Sequence, residues 1–157
     1  MFSIIAAIGK NRELGKNGGL VFHIKEDMKF FKDTTLNHKV VMGYKTWSSL
    51  PNKLPKRKNI VVSYEPVKDA DLTIDNLSKF IKENKDTDEE IFIIGGGMIY
   101  SEFIKYAKNL YLTEIDASVQ DADVFFPDFN KSKYDKTIIK KGSENDLTYT
   151  FAKYIKK

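Results

Sequence analysis

The stretch Ile91-Phe92-Ile93-Ile94-Gly95-Gly96-Gly97 constrains the fold of this chain more than any other. Four apolar residues run without a polar break, three of them β-branched, with Glu89-Glu90 before them and three glycines after. A continuous apolar run bounded by turn signals predicts a strand buried on both faces. Beyond the glycines, Ile99, Phe103, Ile104 and Ala107 fall at helical spacing and predict a helix over Met98–Lys108. The chain therefore leaves a central strand, crosses the glycines and enters a helix at once. Glycine there permits positive φ and lets another molecule approach the backbone closely. The helix start offers free N–H groups and a positive dipole end to an anion. The same glycines also serve as a plain tight turn. Gly95-x-Gly97-x-x-Tyr100 lacks the third glycine of the dinucleotide fingerprint, and no Gly-Lys-Ser/Thr follows. On this stretch alone both readings stay open.

Around that unit the other apolar runs alternate between strand and helix spacing. Strands are expected at Phe2–Ile8, Val40–Met42, Ile60–Ser63, Leu110–Ile115 and, as a weaker edge, Ala70–Ile74. Helices are expected at Lys25–Thr34, Tyr44–Leu50 and Asn76–Lys85, the first with Met28, Phe30 and Phe31 on its apolar side. Gly9–Gly19 reads as a long polar connection, and connections of that length in a compact domain are often functional. Tyr134–Lys141 and Thr148–Ile155 read as antiparallel strands joined near Gly142. The expected fold class is α/β: a mostly parallel central sheet, helices on both faces and an antiparallel C-terminal edge. At 157 residues, one domain over 1–157 is the natural division.

Composition closes off several kinds of chemistry. The chain has no Cys, which excludes disulfides, thiolate metal sites and cysteine nucleophiles. His23 and His38 are its 2 histidines, too few and too poorly grouped for a metal site. The net charge of +4 is almost all lysine, with Arg12 and Arg57 the only arginines. The lysines are scattered, which describes a solvated surface attractive to small polyanions and argues against nucleic acid as a partner. The apolar start Phe2–Ile8 lacks a basic leader and is far too short to span a membrane, so a cytoplasmic location without a membrane partner is expected.

Three side chains stand out. Asp27 lies three and four residues before Phe30 and Phe31 and so shares their side of a helix. Acids favour a first helical turn for dipole reasons, as Glu26 beside it does, and periodicity alone favours that structural role. The functional role would be a carboxylate at the lip of an apolar pocket, which needs a cationic or amidine-like partner. Arg57 follows Pro55 at a strand start; it is either a surface residue or a bidentate fork for a ligand carboxylate. Thr46, three residues after Gly43, either caps a helix or offers a hydroxyl and an N–H group to a phosphate. Two glycine-marked strand–helix turns in one parallel sheet suit a ligand with two phosphate-bearing parts.

With these residues in place, the whole chain resembles bacterial dihydrofolate reductase. The pattern appears as Ile4-Ile5-Ala6-Ala7, Glu26-Asp27-Met28-Lys29-Phe30-Phe31, Val41-Met42-Gly43-Tyr44-Lys45-Thr46-Trp47 and Leu54-Pro55-Lys56-Arg57-Lys58-Asn59. It continues as Ile94-Gly95-Gly96-Gly97-Met98-Ile99-Tyr100, Leu112-Thr113-Glu114-Ile115 and Phe125-Phe126-Pro127-Asp128. Each motif is weak alone; seven in the right order and spacing are very specific.

The resemblance implies NADPH-dependent reduction of 7,8-dihydrofolate to tetrahydrofolate, antifolates as inhibitors, and a monomer. Asp27 would face the pterin N3 and 2-amino group, and Thr113 would orient its carboxylate. Ile5, Ala6, Met28, Phe31, Leu50, Leu54, Ile94 and Tyr100 would line the substrate slot, with Arg57 on the glutamate α-carboxylate. Ala7, Leu14, Gly15, Gly43, Tyr44, Lys45, Thr46, Ser63, Tyr64 and the run Gly95, Gly96, Gly97, Met98, Ile99 and Tyr100 would hold the cofactor. The Gly95–Gly96 peptide is expected to be cis. Gly9–Ile24 would be a mobile lid bringing Leu20 and Phe22 to the reacting centre.

The sequence departs from the family pattern in three places. Val21-Phe22 stands where Pro-Trp is frequent. Tyr44 replaces a frequent Arg and Tyr64 a small hydroxyl residue, both of which touch 2′-phosphate recognition. Gln120-Asp121-Ala122-Asp123 is one residue longer than a common form of that loop. Two rivals compete with this reading. A ribosylaminouracil reductase of the same fold has no use for Asp27, Phe31 and Arg57 together. An inactive fold binding nucleic acid through lysines lacks the aromatic–basic interleaving that such binding uses.

Overall fold

The apolar runs become the strands and helices of a computed structural model that describes residues 1–157. In chain order these are β1 (Phe2–Ile8), β2 (Glu13–Lys16), β3 (Gly19–Leu20), α1 (Lys25–Thr35), β4 (Lys39–Gly43) and α2 (Tyr44–Ser49). Then come β5 (Lys58–Val62), β6 (Leu72–Ile74), α3 (Leu77–Asn84), β7 (Ile91–Gly95) and α4 (Gly97–Phe103). The chain ends with β8 (Ala107–Ile115), β9 (Val124–Phe125), β10 (Tyr134–Glu144) and β11 (Leu147–Lys156). Eight strands form one sheet in the order β10-β11-β8-β1-β7-β4-β5-β6. Every pairing from β8 to β6 is parallel, and β11 and β10 add the antiparallel edge.

Strand alternation sorts the core into two layers. Ile4, Val41, Ile60, Ile91 and Ile93 face α3 and α4, where Phe80, Ile81, Ile99 and Phe103 cover them. Their sequence neighbours Ile5, Val40, Met42, Val61 and Phe92 face the other way, under Phe30 and Phe31 of α1 and Trp47 of α2. Each large apolar side chain fully withdrawn from water contributes about 1.5–3 kcal/mol by transfer. β7 lies between β1 and β4 and is buried from both sides, as its unbroken apolar run requires.

Four expectations need correction. The helix after the glycines ends at Phe103, not Lys108; Tyr106 N–H turns back to the Phe103 carbonyl, and Ala107 opens β8 opposite Phe2. Ala107 is buried by sheet pairing, which mimicked one more helical turn. The C-terminal hairpin closes at Asn145-Asp146, both at positive φ, and Gly142 lies inside β10. Met28 is 64% exposed, so Phe30 and Phe31 alone carry the buried side of α1. Finally, the polar connection holds β2 and β3, which join β9 in a second, three-stranded sheet.

That small sheet folds the lid onto the loop before β9. Leu14 enters the main core. The buried Glu13 carboxylate accepts from Asn11 N–H at 2.7 Å and Val119 N–H at 2.6 Å. Burial alone would raise its pKa, but these N–H donors outweigh it and hold the group below the usual range. Lys16 pairs with Asp121, and Asn17 N–H donates to Asp123 Oδ2 at 3.0 Å. The longer Gln120–Asp123 loop therefore still reaches the lid.

Candidate active site

All parallel strands point their carboxyl ends the same way, and the crevice beyond those ends is where open α/β sheets take ligands. α1 brings Asp27 to it. Thr113, near the end of β8 and paired in register with Ala7, donates its hydroxyl to Asp27 Oδ1 at 2.6 Å. Tyr100 of α4 is fully buried and donates to the Ile5 carbonyl at 2.8 Å. Burial, with the Asp27 charge added, holds the Tyr100 proton far above the ordinary phenol range.

No ion pair of the chain includes Asp27. Burial pushes its carboxyl above the usual range, and the Thr113 hydrogen bond offsets this only in part. Glu26 shows the contrast: its neighbouring carboxylate is paired to Lys140 and its pKa is lowered by that bond. An acid serving only the helix dipole would resemble Glu26. Asp27 is instead a carboxylate kept in poor solvent without a cation, so it calls for a ligand with donors.

The sign of that shift gives a stability prediction. A carboxyl whose folded pKa is raised binds more protons in the native than in the unfolded chain. It therefore subtracts stability as pH rises past its ordinary range. Asp27→Asn removes the ionised group and should raise Tm at pH 7, by about 2–4 °C for each 1 kcal/mol relieved. Thermal scans should show the gap closing near pH 3, where both states of Asp27 are protonated. A lower Tm at pH 7 would mean that Asp27 is held by attraction.

Behind Asp27, Ile5 packs with Phe31, Leu50, Leu54 and Ile94 in one apolar cluster. Arg57 closes its far end and is only 9% exposed. Its Nε donates to the Pro55 carbonyl at 3.0 Å and one terminal nitrogen to Thr35 Oγ1 at 3.2 Å. The guanidinium carbon lies 5.9 Å from the Phe31 ring centroid, and burial pulls its pKa below the usual value. No carboxylate of the chain pairs with it. Two further residues expected to line the slot lie outside this cluster. Ala6 packs with the opposite layer from Ile5, because consecutive strand residues face opposite sides, and Met28 stands in solvent.

The two glycine-marked turns meet beside the slot. A Cβ on Gly43 would come 3.1 Å from Ile99 Cγ1 and 3.9 Å from the Gly95 carbonyl. A Cβ on Gly95 or Gly96 would lie 3.6 Å from Thr46 Oγ1. Gly95 has φ +127°, open to glycine alone, and the Gly95–Gly96 peptide is cis. No side chain caps α2, so the capping role of Thr46 does not hold; its hydroxyl is turned to this junction. The two turns therefore meet at glycine backbone, with the side chains of Ile99, Thr46 and Tyr100 packed around it.

Around these turns, Lys45 is an unpaired cation, Tyr44 is exposed and Tyr64 is 93% exposed. Ser63 is anchored by its N–H to the Ile74 carbonyl. The remaining residues expected around the cofactor lie on several elements. Ile99 and Leu14 are core residues, Met98 points to solvent, and Gly97 is needed because a Cβ would strike Val124 of β9 at 2.8 Å. Gly15 is buried in the lid sheet, and Leu20 is 63% exposed at its tip. Phe22 is half-buried on a cluster of Ile24, Ile115, Tyr149 and Phe151 that also takes Ala7. A cavity of about 400 Å³ between Ile8, Arg12, Glu114 and Phe129, bordered by Gly9 and Lys10, does not include Asp27.

The fold is a mixed α/β sheet that brings Asp27 and an apolar cluster together beside two glycine-marked strand–helix turns. The sequence pattern of dihydrofolate reductase matches residues 1–156. The dihydrofolate reductase of Buchnera aphidicola subsp. Acyrthosiphon pisum is 39% identical over 155 residues, covering 95% of each chain. That of Bacillus subtilis is 35% identical over 161 residues, covering 100% of this chain and 95% of its own. That of Neisseria gonorrhoeae is 36% identical over 164 residues, covering 99% and 98%. The chain belongs to the dihydrofolate reductase family, oxidoreductases that reduce dihydrofolate to tetrahydrofolate with a nicotinamide cofactor. No helix is long and apolar enough to cross a membrane.

Proposed function

We propose that residues 1–157 act as one domain, a cytoplasmic monomer, that reduces 7,8-dihydrofolate to 5,6,7,8-tetrahydrofolate with NADPH. The observation that carries this reading is Asp27, a carboxylate raised by burial, unpaired, and oriented by Thr113 at the mouth of an apolar slot. Its two oxygens accept from the pterin N3–H and 2-amino group. That match leaves N5 to be protonated through an ordered water, with Asp27 as the acid placed to promote it, since Glu26 is engaged by Lys140 and Tyr149. The nicotinamide, when bound, supplies the hydride that goes to C6. The chain's own residues do the rest. Phe31, Leu50, Leu54 and Ile94 hold the rings flat, Arg57 takes the glutamate α-carboxylate bidentately, and Leu20 and Phe22 on the lid keep bulk water out. Phe22 has no N–H, so it serves by packing alone.

The direct test is the fall in reduced-nicotinamide absorbance on adding dihydrofolate to enzyme and NADPH. No fall, with a salt-dependent shift of nucleic acid in a gel, would replace the reading with the binding one. Diaminopyrimidine antifolates present the same pair of donors to Asp27 and should compete with dihydrofolate.

Cofactor choice follows from the charges at the glycine-marked turns. A 2′-phosphate is close to doubly charged at neutral pH and needs fixed cations or several donors. Lys45 is the free cation on the first turn, with the Ser63 and Tyr64 hydroxyls nearby in sequence. Lysine acts as a point charge without the arginine fork, so its effect is smaller and weakens with salt. Tyr44, stacked on adenine, would help NADH and NADPH alike. The expected result is a clear but reduced NADPH preference in kcat/KM, smaller still in Lys45→Ala and in added salt. Equal use of NADH by the wild type would overturn the preference, and an unchanged ratio in Lys45→Ala would remove Lys45 from the site.

A further inference from the structure

α1 carries Asp27 in its first turn, yet no side chain of α1 caps that turn. The residue before the helix is Ile24, which offers no side-chain cap. Glu26 and Asp27 answer the positive dipole end, but a start without a side-chain cap leaves first-turn N–H groups in need of acceptors. The missing acceptor comes from 119 positions away: Glu144 Oε2, at the end of β10, accepts from Lys25 N–H at 3.0 Å.

The same hairpin grips the next residue. Glu26 accepts from Lys140 Nζ at 2.5 Å and from the Tyr149 hydroxyl at 2.7 Å. Gly142 makes room for this, because a Cβ there would sit 2.5 Å from Glu26 Oε1 and 2.6 Å from the Tyr149 ring. Further along, Phe30 of α1 packs on Phe151 of β11 with centroids 4.6 Å apart. Phe151 is in turn the register partner of Thr113, the residue that holds Asp27. One hairpin therefore fixes Asp27 from both sides, through its helix and through its hydrogen-bond donor.

We propose that the β10–β11 hairpin is a positioning clamp for Asp27, with Glu144 as a remote helix cap and Glu26, Lys140, Gly142 and Tyr149 as the lock. This rests on the reading of Asp27 as the substrate-facing carboxylate. The groups that face Asp27 are Thr113 from β8, Tyr100 from α4 and Tyr149 from β11, with Glu26 beside it on α1; Lys140 and Glu144 stand one step further out. Loosening the clamp lets the first turn lift and water reach Asp27. Because burial is what raises the Asp27 pKa, hydration moves it back toward the ordinary carboxylate range.

Glu144→Ala removes the cap and Gly142→Ala pushes Glu26 from its seat. Glu144→Gln keeps an oxygen for the Lys25 N–H and should restore wild-type behaviour. In ¹³C-carboxyl NMR titrations of the free chain, the Asp27 midpoint should fall in both alanine variants and not in Glu144→Gln. KM for dihydrofolate should rise in both alanine variants and stay at the wild-type value in Glu144→Gln. KM for the cofactor should hold, and the substrate effect should disappear in an Asp27→Asn background. An unmoved Asp27 midpoint in both alanine variants, with only Tm lowered, would reduce the hairpin to a stabilising element. The titration needs no substrate, so it decides the clamp even if Asp27→Asn proves fully active and the catalytic reading fails.

Discussion

Asp27→Asn should fold, gain thermal stability and turn over roughly 10²–10⁴-fold more slowly at pH 7, the usual contribution of a positioned acid or base. The asparagine oxygen can still accept from Thr113, so the helix keeps its place. What disappears is the negative charge. Without it the pterin N3–H and 2-amino group lose a charge-assisted pair of hydrogen bonds, and N5 loses the field that favours its protonation. The slow step in the variant becomes proton delivery, so activity should recover in part as pH falls and dihydrofolate protonates unaided. Wild type and variant should therefore converge in kcat/KM on the acid side and diverge on the neutral side. Near-normal turnover at pH 7 would remove Asp27 from the chemistry.

Gain in stability and loss of activity in one substitution would identify the cost of the site. A helix start on a folded sheet has no need of a half-buried, unpaired carboxylate, and its neighbour Glu26 shows how such an acid is normally satisfied. The energy set against folding at Asp27 becomes available when a ligand supplies two donors.

Much of this was legible in the sequence, for reasons that differ by element. β7 was readable because a strand buried on both faces allows no polar residue, so Ile91–Ile94 could be little else. The Gly95 turn was readable because φ +127° admits glycine alone. The end of α4 was not readable, since Ile104 and Ala107 satisfy helical spacing while Ala107 is buried by β1. Gly142 was misread as a turn for a related reason: glycine marks positive φ and close approach equally, and here the approach is by Glu26 and Tyr149. The true turn, Asn145-Asp146, carried its signal in residues that tolerate positive φ.

Within the site, Asp27 could not be resolved by periodicity, because a dipole-serving acid and a ligand-facing one occupy the same helical positions. Its missing partner became visible only in three dimensions. The cap from Glu144 left no local signature at all, since the two residues it joins are 119 apart. The links from Asn17 to Asp123 and from Glu13 to Val119 share that property. Each depends on which loops the sheet brings together, which no local window contains.

Arg57→Ala should raise KM for dihydrofolate while leaving kcat comparatively intact. Losing one partner of a buried, hydrogen-bonded charge pair costs about 2–5 kcal/mol. At tenfold per 1.4 kcal/mol, that is about 30- to 4,000-fold in affinity. Arg57 suits this role because it is already desolvated and held by the Pro55 carbonyl and Thr35 hydroxyl, so little ordering remains when a carboxylate arrives. Thr35 also donates to the Phe31 carbonyl at 2.8 Å, which ties the guanidinium to the end of α1. Part of any loss in the alanine variant could therefore be structural, and the substrate separates the two contributions. With a pterin lacking the glutamate, Arg57→Ala should behave almost as wild type, because the missing partner is missing on both sides. Arg57→Lys keeps charge without the fork and should fall between the two on dihydrofolate. Equal losses on both substrates would make Arg57 a brace for α1 and leave the glutamate carboxylate without an anchor.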